Sequence, residues 1–310
     1  MRYYLYSAGL ILFAVVIAII APFLVNFADN LLISSQIPQN NSSVAGIQQY
    51  NIPPIGGTLP LPNFSARAVL IKDLATGAIL YQKDSNIPLP IASTTKIMTA
   101  LVASEFFKPE SVLTVGDSAK TPGSKVGLNY GEDLNFRSLL YGMLLNSGND
   151  AAYTIAENFP GRVFGFVSAM NKKALELNLR NTHFDNPAGF DSRNQYSSAE
   201  DLAKITEETL KNSQLAIIFA TEKTNIVSLN KKYTHQLINL NKLLSSVNGV
   251  LGIKTGTTEE AKENLVTLVE RDKHRILLVV LGSNDRFGET TELINWTYAN
   301  FTWPDSGIVR

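Results

Sequence analysis

Charge is distributed unevenly along this chain, and that bounds what each part can fold into. Residues 1–66 carry only two charged side chains, Arg2 and Asp29, while the remaining 244 residues carry 52. That is about 21% of the body, close to the ~25% of ordinary soluble domains. The leader has no such surface. Its residues 5–25 are almost wholly apolar or small and carry no charge. A helix of about 20 such residues spans roughly 30 Å of hydrocarbon. A secretory signal is the alternative; its apolar core is usually about 7–15 residues and ends at a small-x-small cleavage site. Asn26-Phe27-Ala28-Asp29 is a poor site, Ser43-Val44-Ala45 lies far downstream, and Pro22 keeps cleavage open. Length favours an uncleaved transmembrane anchor over residues 1–27. Arg2 and the amino terminus then place the N-terminus in the cytoplasm and the body outside the cell membrane, or the body is secreted or periplasmic if the leader is cleaved.

Residues 28–63 are rich in Ser, Asn, Gln, Pro and Gly and read as a flexible linker, with an extended arm packed on the body as the alternative. The body, residues 64–310, mixes the two hydrophobic periods. Residues 66–70 and 78–81 read as a hairpin around Leu74-Ala75-Thr76-Gly77. Residues 97–107 are apolar almost all round, as in a buried helix. Phe136, Leu139, Leu140, Met143 and Leu144 mark a second helix, and Val163, Val167, Met170, Ala174 and Leu177 a third. Ser198 with Asp201 forms an acidic variant of the capping box before Leu202, Ile205 and Leu210. Residues 264–269 and 275–281 read as strands joined by residues 270–274, and residues 289–301 as a closing helix. A sheet built from both chain ends, with a mostly helical lobe inserted, makes an α+β body. About 245 residues in one body suggests two lobes with a cleft.

Composition excludes several function classes. The 27 basic and 27 acidic side chains balance, which argues against a nucleic-acid partner. No cysteine is present, so disulfides and thiolate chemistry are excluded, and His183, His235 and His274 are the only histidines. No metal and no cofactor is expected.

Chemistry is carried by three short motifs. Ser93-Thr94-Thr95-Lys96 sits where the first helix begins. Residues three apart share a helix face, so Lys96 can reach the Ser93 hydroxyl and, if neutral, serve as its base. A helix N-terminus beside Ser93 also favours a developing oxyanion. This pattern is weak alone, because Ser228-Leu229-Asn230-Lys231 matches it too. Ser192-Arg193-Asn194 and Ser246-Val247-Asn248 likewise share the Ser-x-Asn pattern of Ser147-Gly148-Asn149. Context favours Ser93/Lys96, Ser147/Asn149 and Lys254-Thr255-Gly256. Residues 230–233 read as a polar turn, and only 23 positions separate Lys231 from Lys254. Ser147 lies at a break between two helices, and the glycine of Lys254-Thr255-Gly256 lets a substrate backbone approach a sheet edge.

With these motifs stand residues 91–96, 147–152, 182–191, 196–203 and 252–258. Together they resemble the D-alanyl-D-alanine carboxypeptidases, low-molecular-weight penicillin-binding proteins of the S11 serine peptidase type, over residues 64–301. The resemblance implies a β-lactamase/transpeptidase-like fold and a serine D,D-peptidase domain. It implies cleavage of terminal D-alanine from peptidoglycan stem peptides through an acyl-enzyme on Ser93, with β-lactam antibiotics as covalent inhibitors. A D,D-endopeptidase of crosslinks or a β-lactamase-like hydrolase is the alternative. By the same resemblance Lys96 is the base, Ser147 relays a proton, and Asn149 holds the substrate amide. Lys254 shapes the field, Thr255 binds the terminal carboxylate, and the N–H groups of Ser93 and Thr257, flanking Gly256, make the oxyanion hole. Attachment to the membrane is expected through the N-terminus rather than a C-terminal amphipathic segment.

Five features depart from the family pattern or invite a second role. Residues 261–264 differ from the usual stretch after Lys-Thr-Gly, which affects the cleft rim. Gln195 stands where many relatives have histidine, with little catalytic effect expected. Glu176 continues a helix surface rather than acting in deacylation, Glu259-Glu260 is a solvated turn, and His183 is a packing or hydrogen-bonding residue.

Overall fold

The computed structural model describes residues 49–50, 53–304 and 307–308. The apolar run at 5–25, with the anchor or signal expected there, and the linker up to residue 48 lie outside the described residues. Among the described residues no helix is long and apolar enough to cross a membrane.

The body opens with β1 (Ala68–Asp73) and β2 (Ile79–Lys83). Their hairpin closes because the Asp73 carboxylate accepts the Thr76 N–H and hydroxyl at 2.9 and 2.6 Å. The chain then leaves the sheet. It forms α1 (Lys96–Phe106), β3 (Val112–Thr114), β4 (Asp133–Asn135) and α2 (Phe136–Leu145). There follow α3 (Asn149–Glu157), α4 (Arg162–Glu176), α5 (Ala199–Leu210) and α6 (Ser213–Phe219). A second hairpin, β5 (Lys223–Val227) and β6 (Thr234–Ile238), ends this lobe. The chain returns as β7 (Val250–Thr258), β8 (Lys262–Arg271) and β9 (His274–Ser283), and closes with α7 (Arg286–Asn300). The five-stranded sheet has the order β2-β1-β9-β8-β7, antiparallel throughout. It is therefore drawn from both chain ends, as expected, and β7 is an edge strand.

The sheet is buried on both faces, which explains why residues 276–281 read as an unbroken apolar run. Leu265, Val269, Ile276, Leu278 and Val280 pack with Leu293 and Ile294 of α7. Val266, Leu268, Leu277, Val279 and Leu281 face the helical lobe, where they join one core with Ile97, Met98 and Leu101 of α1. That position accounts for the all-round apolar character of α1.

Four local expectations shift. The connection expected over 270–274 is a two-residue turn: Asp272 and Lys273 take φ of 51° and 66°, as a tight antiparallel hairpin requires. The closing helix starts at Arg286 because the Asp285 side chain caps it, accepting the Gly288 N–H at 2.9 Å. Only half of the capping box at α5 forms. Ser198 Oγ accepts the Asp201 N–H at 3.1 Å, but the shorter Asp201 carboxylate turns to the Asn181 N–H and Thr182 hydroxyl. Finally, the end of the stretch expected to be flexible linker is strapped to α7. Ile55–Gly56 pairs with Phe301–Thr302, the Leu59 N–H donates to Asn300 Oδ1 at 2.9 Å, and Trp296 Nε1 donates to the Leu59 carbonyl at 3.2 Å. A segment without a core of its own is held here by its backbone polar groups, which composition does not reveal.

Leu278 is fully buried in the central strand. Leu278→Ala is expected to lower unfolding stability by about 3 kcal/mol, measured by urea denaturation; a loss under about 1 kcal/mol would contradict this packing.

Candidate active site

Ser93 lies in a short 3-10 turn, Ala92–Thr95, that leads into α1. In such a turn residues three apart eclipse, so Lys96 stands over Ser93, with Nζ 2.9 Å from Oγ. Ala92 enters the turn with φ of 47°, and two glycines clamp it. A Cβ on Gly189 would lie 1.9 Å from the Ala92 carbonyl oxygen, and one on Gly256 would lie 3.0 Å from Ser93 N. Strand β7 and the loop around Gly189 thus press on the Ser93 turn at distances that only glycine permits.

Lys96 is fully buried. Its Nζ has two further acceptors, Asn149 Oδ1 at 2.8 Å and the Ala188 carbonyl at 2.6 Å. The three acceptors come from three segments: the Ser93 turn, the start of α3, and the loop after Asn186. Burial pushes the Lys96 ammonium well below the usual lysine range, the charge of Lys254 pushes it further, and the Asp150 carboxylate opposes both. Lys254 is itself pushed down to about 7 by burial, then by Arg286. Its Nζ donates to the Thr255 carbonyl at 2.9 Å.

Ser147 connects α2 to α3 in a left-handed conformation, φ 56°, and is 3% exposed. Its hydroxyl has no hydrogen-bond partner among the described residues. The β5–β6 hairpin fixes this connection, because the Ile238 N–H donates to Asn146 Oδ1 at 2.9 Å and the Leu240 N–H to the Leu145 carbonyl at 3.1 Å. Asn149 is committed on both sides of its amide. Besides accepting from Lys96 it donates to the Pro122 carbonyl at 2.8 Å. That makes it first a holder of Lys96 and of the 122–124 loop. Asp150 is buried and accepts the N–H groups of Val126, Gly127 and Leu128.

Thr255 and Gly256 are buried on β7, while Thr257 is exposed at its end. Arg286, at the start of α7, donates to the Gly256 carbonyl at 3.1 Å and bonds the Thr257 hydroxyl. Its Nε is buried with no partner among the described residues. Arg286 escaped sequence reasoning because nothing local marks it; only the packing of α7 against the end of β7 brings it here. The departure at 261–264 bears on this residue. The Glu263 carboxylate accepts the Arg286 N–H at 2.9 Å, and Asn264 ties the Pro90 carbonyl (3.1 Å) to the Gly282 N–H (2.8 Å).

The expected set Ser93, Lys96, Ser147, Asn149 and the 254–257 stretch therefore belongs to segments that meet around buried Lys96. The rival set does not. Ser228 bonds Asn230 and Tyr233 in the turn between β5 and β6, and Lys231 sits in that turn with φ of 59°. Glu176 pairs on the surface with Lys173 at 2.7 Å, and His183 Nδ1 bonds the Asn194 carbonyl at 2.7 Å.

An antiparallel sheet with an inserted helical lobe and a serine–lysine pair between them is the β-lactamase/transpeptidase-like arrangement. The structure resembles the Streptomyces K15 DD-transpeptidase with a TM-score of 0.74 and 31% identity, covering 78% of this chain and 100% of that one. The sequence profile of the peptidase S11 family, D-alanyl-D-alanine carboxypeptidase, matches residues 57–285, and the chain belongs to this family. It is 35% identical to the D-alanyl-D-alanine carboxypeptidase DacF of Bacillus subtilis over 246 residues, 76% of this chain and 63% of that protein's length. It is 31% identical to a D-alanyl-D-alanine endopeptidase of Pseudomonas aeruginosa over 262 residues, covering 82% of this chain and 84% of that protein. The chain thus spans less than two thirds of the Bacillus relative.

Gly189→Ala is expected to push the Ser93 turn out of place, since φ is 91° and the added carbon collides with Ala92. Covalent labelling by a fluorescent penicillin, compared at equal folded protein, should fall at least about tenfold. Wild-type labelling of this variant would refute the clamp.

Proposed function

We propose that this chain is a serine-type D-alanyl-D-alanine carboxypeptidase that removes terminal D-alanine from peptidoglycan stem peptides through an acyl-enzyme on Ser93. The observation that carries the reading is the buried Lys96 amine with Ser93 Oγ, Asn149 Oδ1 and the Ala188 carbonyl around it. An ammonium donates three hydrogens, and a neutral amine donates two and accepts one. With its two hydrogens on Asn149 and Ala188, the neutral Lys96 amine turns its lone pair to the Ser93 hydroxyl. Burial and the Lys254 charge favour that neutral form.

In the reaction Ser93 Oγ attacks the carbonyl of the penultimate D-alanine and passes its proton to Lys96. The N–H groups of Ser93 and Thr257 receive the oxyanion. The peptide bond breaks as a proton reaches the leaving amine through Ser147, and free D-alanine departs. Water then cleaves the Ser93 ester, with Lys96 taking the water's proton and returning it to Ser93 Oγ as the acid product leaves. Lys254 keeps the field positive at Ser147. Thr255 and Arg286 take the terminal carboxylate; the Arg286 guanidinium held on the Thr257 hydroxyl at the end of β7 supports this, since a guanidinium pairs strongly with a carboxylate. A β-lactam presents an amide and a carboxylate to the same groups and acylates Ser93 as a covalent inhibitor.

Crosslink cleavage is the second reading, favoured by the likeness to the Pseudomonas endopeptidase. Incubation with pentapeptide monomers and with crosslinked dimers separates the two: release of D-alanine from monomers alone supports the carboxypeptidase. The charge-free run at 5–25 supports membrane anchoring with the N-terminus cytoplasmic and the body outside. Carbonate extraction of membranes tests it, and an N-terminus beginning after residue 27 in the mature protein would establish a cleaved signal.

Ser93→Ala is expected to abolish penicillin labelling and to lower D-alanine release by about three orders of magnitude or more; labelling that survives overturns the assignment. Because Lys96 acts only when neutral, acylation should fall as pH drops through its lowered pKa. A rate constant unchanged from about pH 9 to about pH 5 would sink the free-amine base. Arg286→Ala should raise KM for the D-alanyl-D-alanine peptide about tenfold or more, with a smaller change in kcat.

A further inference from the structure

We propose that Gln195 is a positioning residue for Lys96: it locks the loop that carries the Ala188 carbonyl to the turn that carries Ser93, and so aims the lysine lone pair at the serine. The inference rests on the acylation reading above. It replaces the expectation that Gln195 has little catalytic effect.

Gln195 is 3% exposed, and both ends of its amide are used. Its Oε1 accepts the N–H groups of Asp185 at 2.7 Å and Asn186 at 3.1 Å. Its Nε2 donates to Thr95 Oγ1 at 2.8 Å. Thr95 is fully buried and immediately precedes Lys96. On the other side, Asn186 Oδ1 accepts three successive N–H groups, from Ala188 at 3.1 Å, Gly189 at 2.7 Å and Phe190 at 3.0 Å. This curls the loop. The Ala188 carbonyl is left to Lys96 Nζ, at 2.6 Å, the shortest of the three lysine contacts. The Thr99 hydroxyl holds the Pro187 carbonyl from the next turn of α1, at 2.7 Å. The loop is thus bound to the Ser93 turn at Thr95 and to α1 at Lys96 and Thr99, and Gln195 supplies the first of these bonds while bracing the residue that shapes the loop.

Its role is geometric, because an amide carries no charge. The charged groups that face Lys96 are Lys254 from β7 and Asp150 from α3. Behind Gln195 stands Asp185, whose carboxylate bonds the Ser192 hydroxyl and lies 3.7 Å from His183 Nδ1. Losing Gln195 leaves the buried Asn186 N–H and the part-buried Asp185 N–H unpaired. The loop relaxes, and the Ala188 carbonyl moves off Lys96. The ammonium loses more by this than the neutral amine, since its hydrogen bonds are charge-assisted. Lys96 then becomes neutral at lower pH, yet its lone pair is no longer directed.

The test is the rate constant for Ser93 acylation by a fluorescent penicillin, measured across pH on the full chain together with Tm. Gln195→Met is close in shape and removes all three bonds. It should lower the plateau rate about tenfold and move the acid limb to lower pH. Gln195→Glu keeps both N–H acceptances, which hold its carboxylate ionised, and adds a negative charge beside the lysine turn. It should recover most of the plateau rate and move the acid limb to higher pH. If the Met variant does not fold, the shift of the Glu variant decides. Acid limbs that stay at the wild-type position, with only Tm lowered, would overturn the inference and leave a purely structural glutamine. Failure of the underlying reading is seen separately, as labelling that persists in Ser93→Ala.

Discussion

A lysine side chain with no solvent exposure must be neutral or fully hydrogen-bonded, because an unpaired ammonium in a low-dielectric interior costs too much to persist. Lys96 meets that constraint through three oxygens drawn from the Ser93 turn, the start of α3 and the Asn186 loop. Much else follows from holding those three segments together. The Ala92–Thr95 turn is wound tightly so that residue 96 eclipses residue 93. Gly189 and Gly256 lack side chains so that loop and strand can close on that turn. Asp150, Asn186 and Gln195 spend their polar groups on backbone N–H donors that would otherwise leave the surrounding loops undefined.

The sheet supplies the rigid half of this arrangement. Strand β7 is an edge strand paired on one side only, with β8. Its Gly256 abuts the Ser93 turn, and its Lys254 is buried where its charge acts on Lys96. Lys254 depresses the charged form of Lys96 beyond what burial does, and Arg286 adds to burial at Lys254 in the same way. Arg286, at the start of α7, extends the positive field along the same edge. Positive groups at Lys254 and Arg286, beyond the neutral Lys96 amine, are consistent with the proposed substrate that ends in a carboxylate.

Legibility in the sequence followed sequence distance. Ser93 and Lys96 could be paired on paper, since both lie on one turn, and the helices of the lobe were visible through their period of 3.6. Strands β8 and β9 were visible as apolar runs. Less legible were features that depend on an exact reach. The capping box at Ser198 formed by half because an aspartate is short and found a nearer partner at Asn181. The turn at Asp272-Lys273 closed in two residues. The strap at Ile55–Gly56 looked like linker because its bonds are made by backbone, which has the same composition everywhere. Asn149 holds Lys96, a contact across 53 positions that no local pattern encodes.

By itself the sequence determined the partition into a charge-poor leader and a charged body, the α+β class, and the spacing that pairs Ser93 with Lys96. These rest on short-range patterns: charge density, hydrophobic period and a three-residue spacing. Tertiary structure alone decided the environment of the lysine, the arginine at the far end of β7, and the Gln195–Asn186 brace behind the Ala188 carbonyl. Those are properties of burial and of contacts between distant segments. A backbone carbonyl becomes a ligand for lysine only when the fold presents it, and every residue in the chain has the same one.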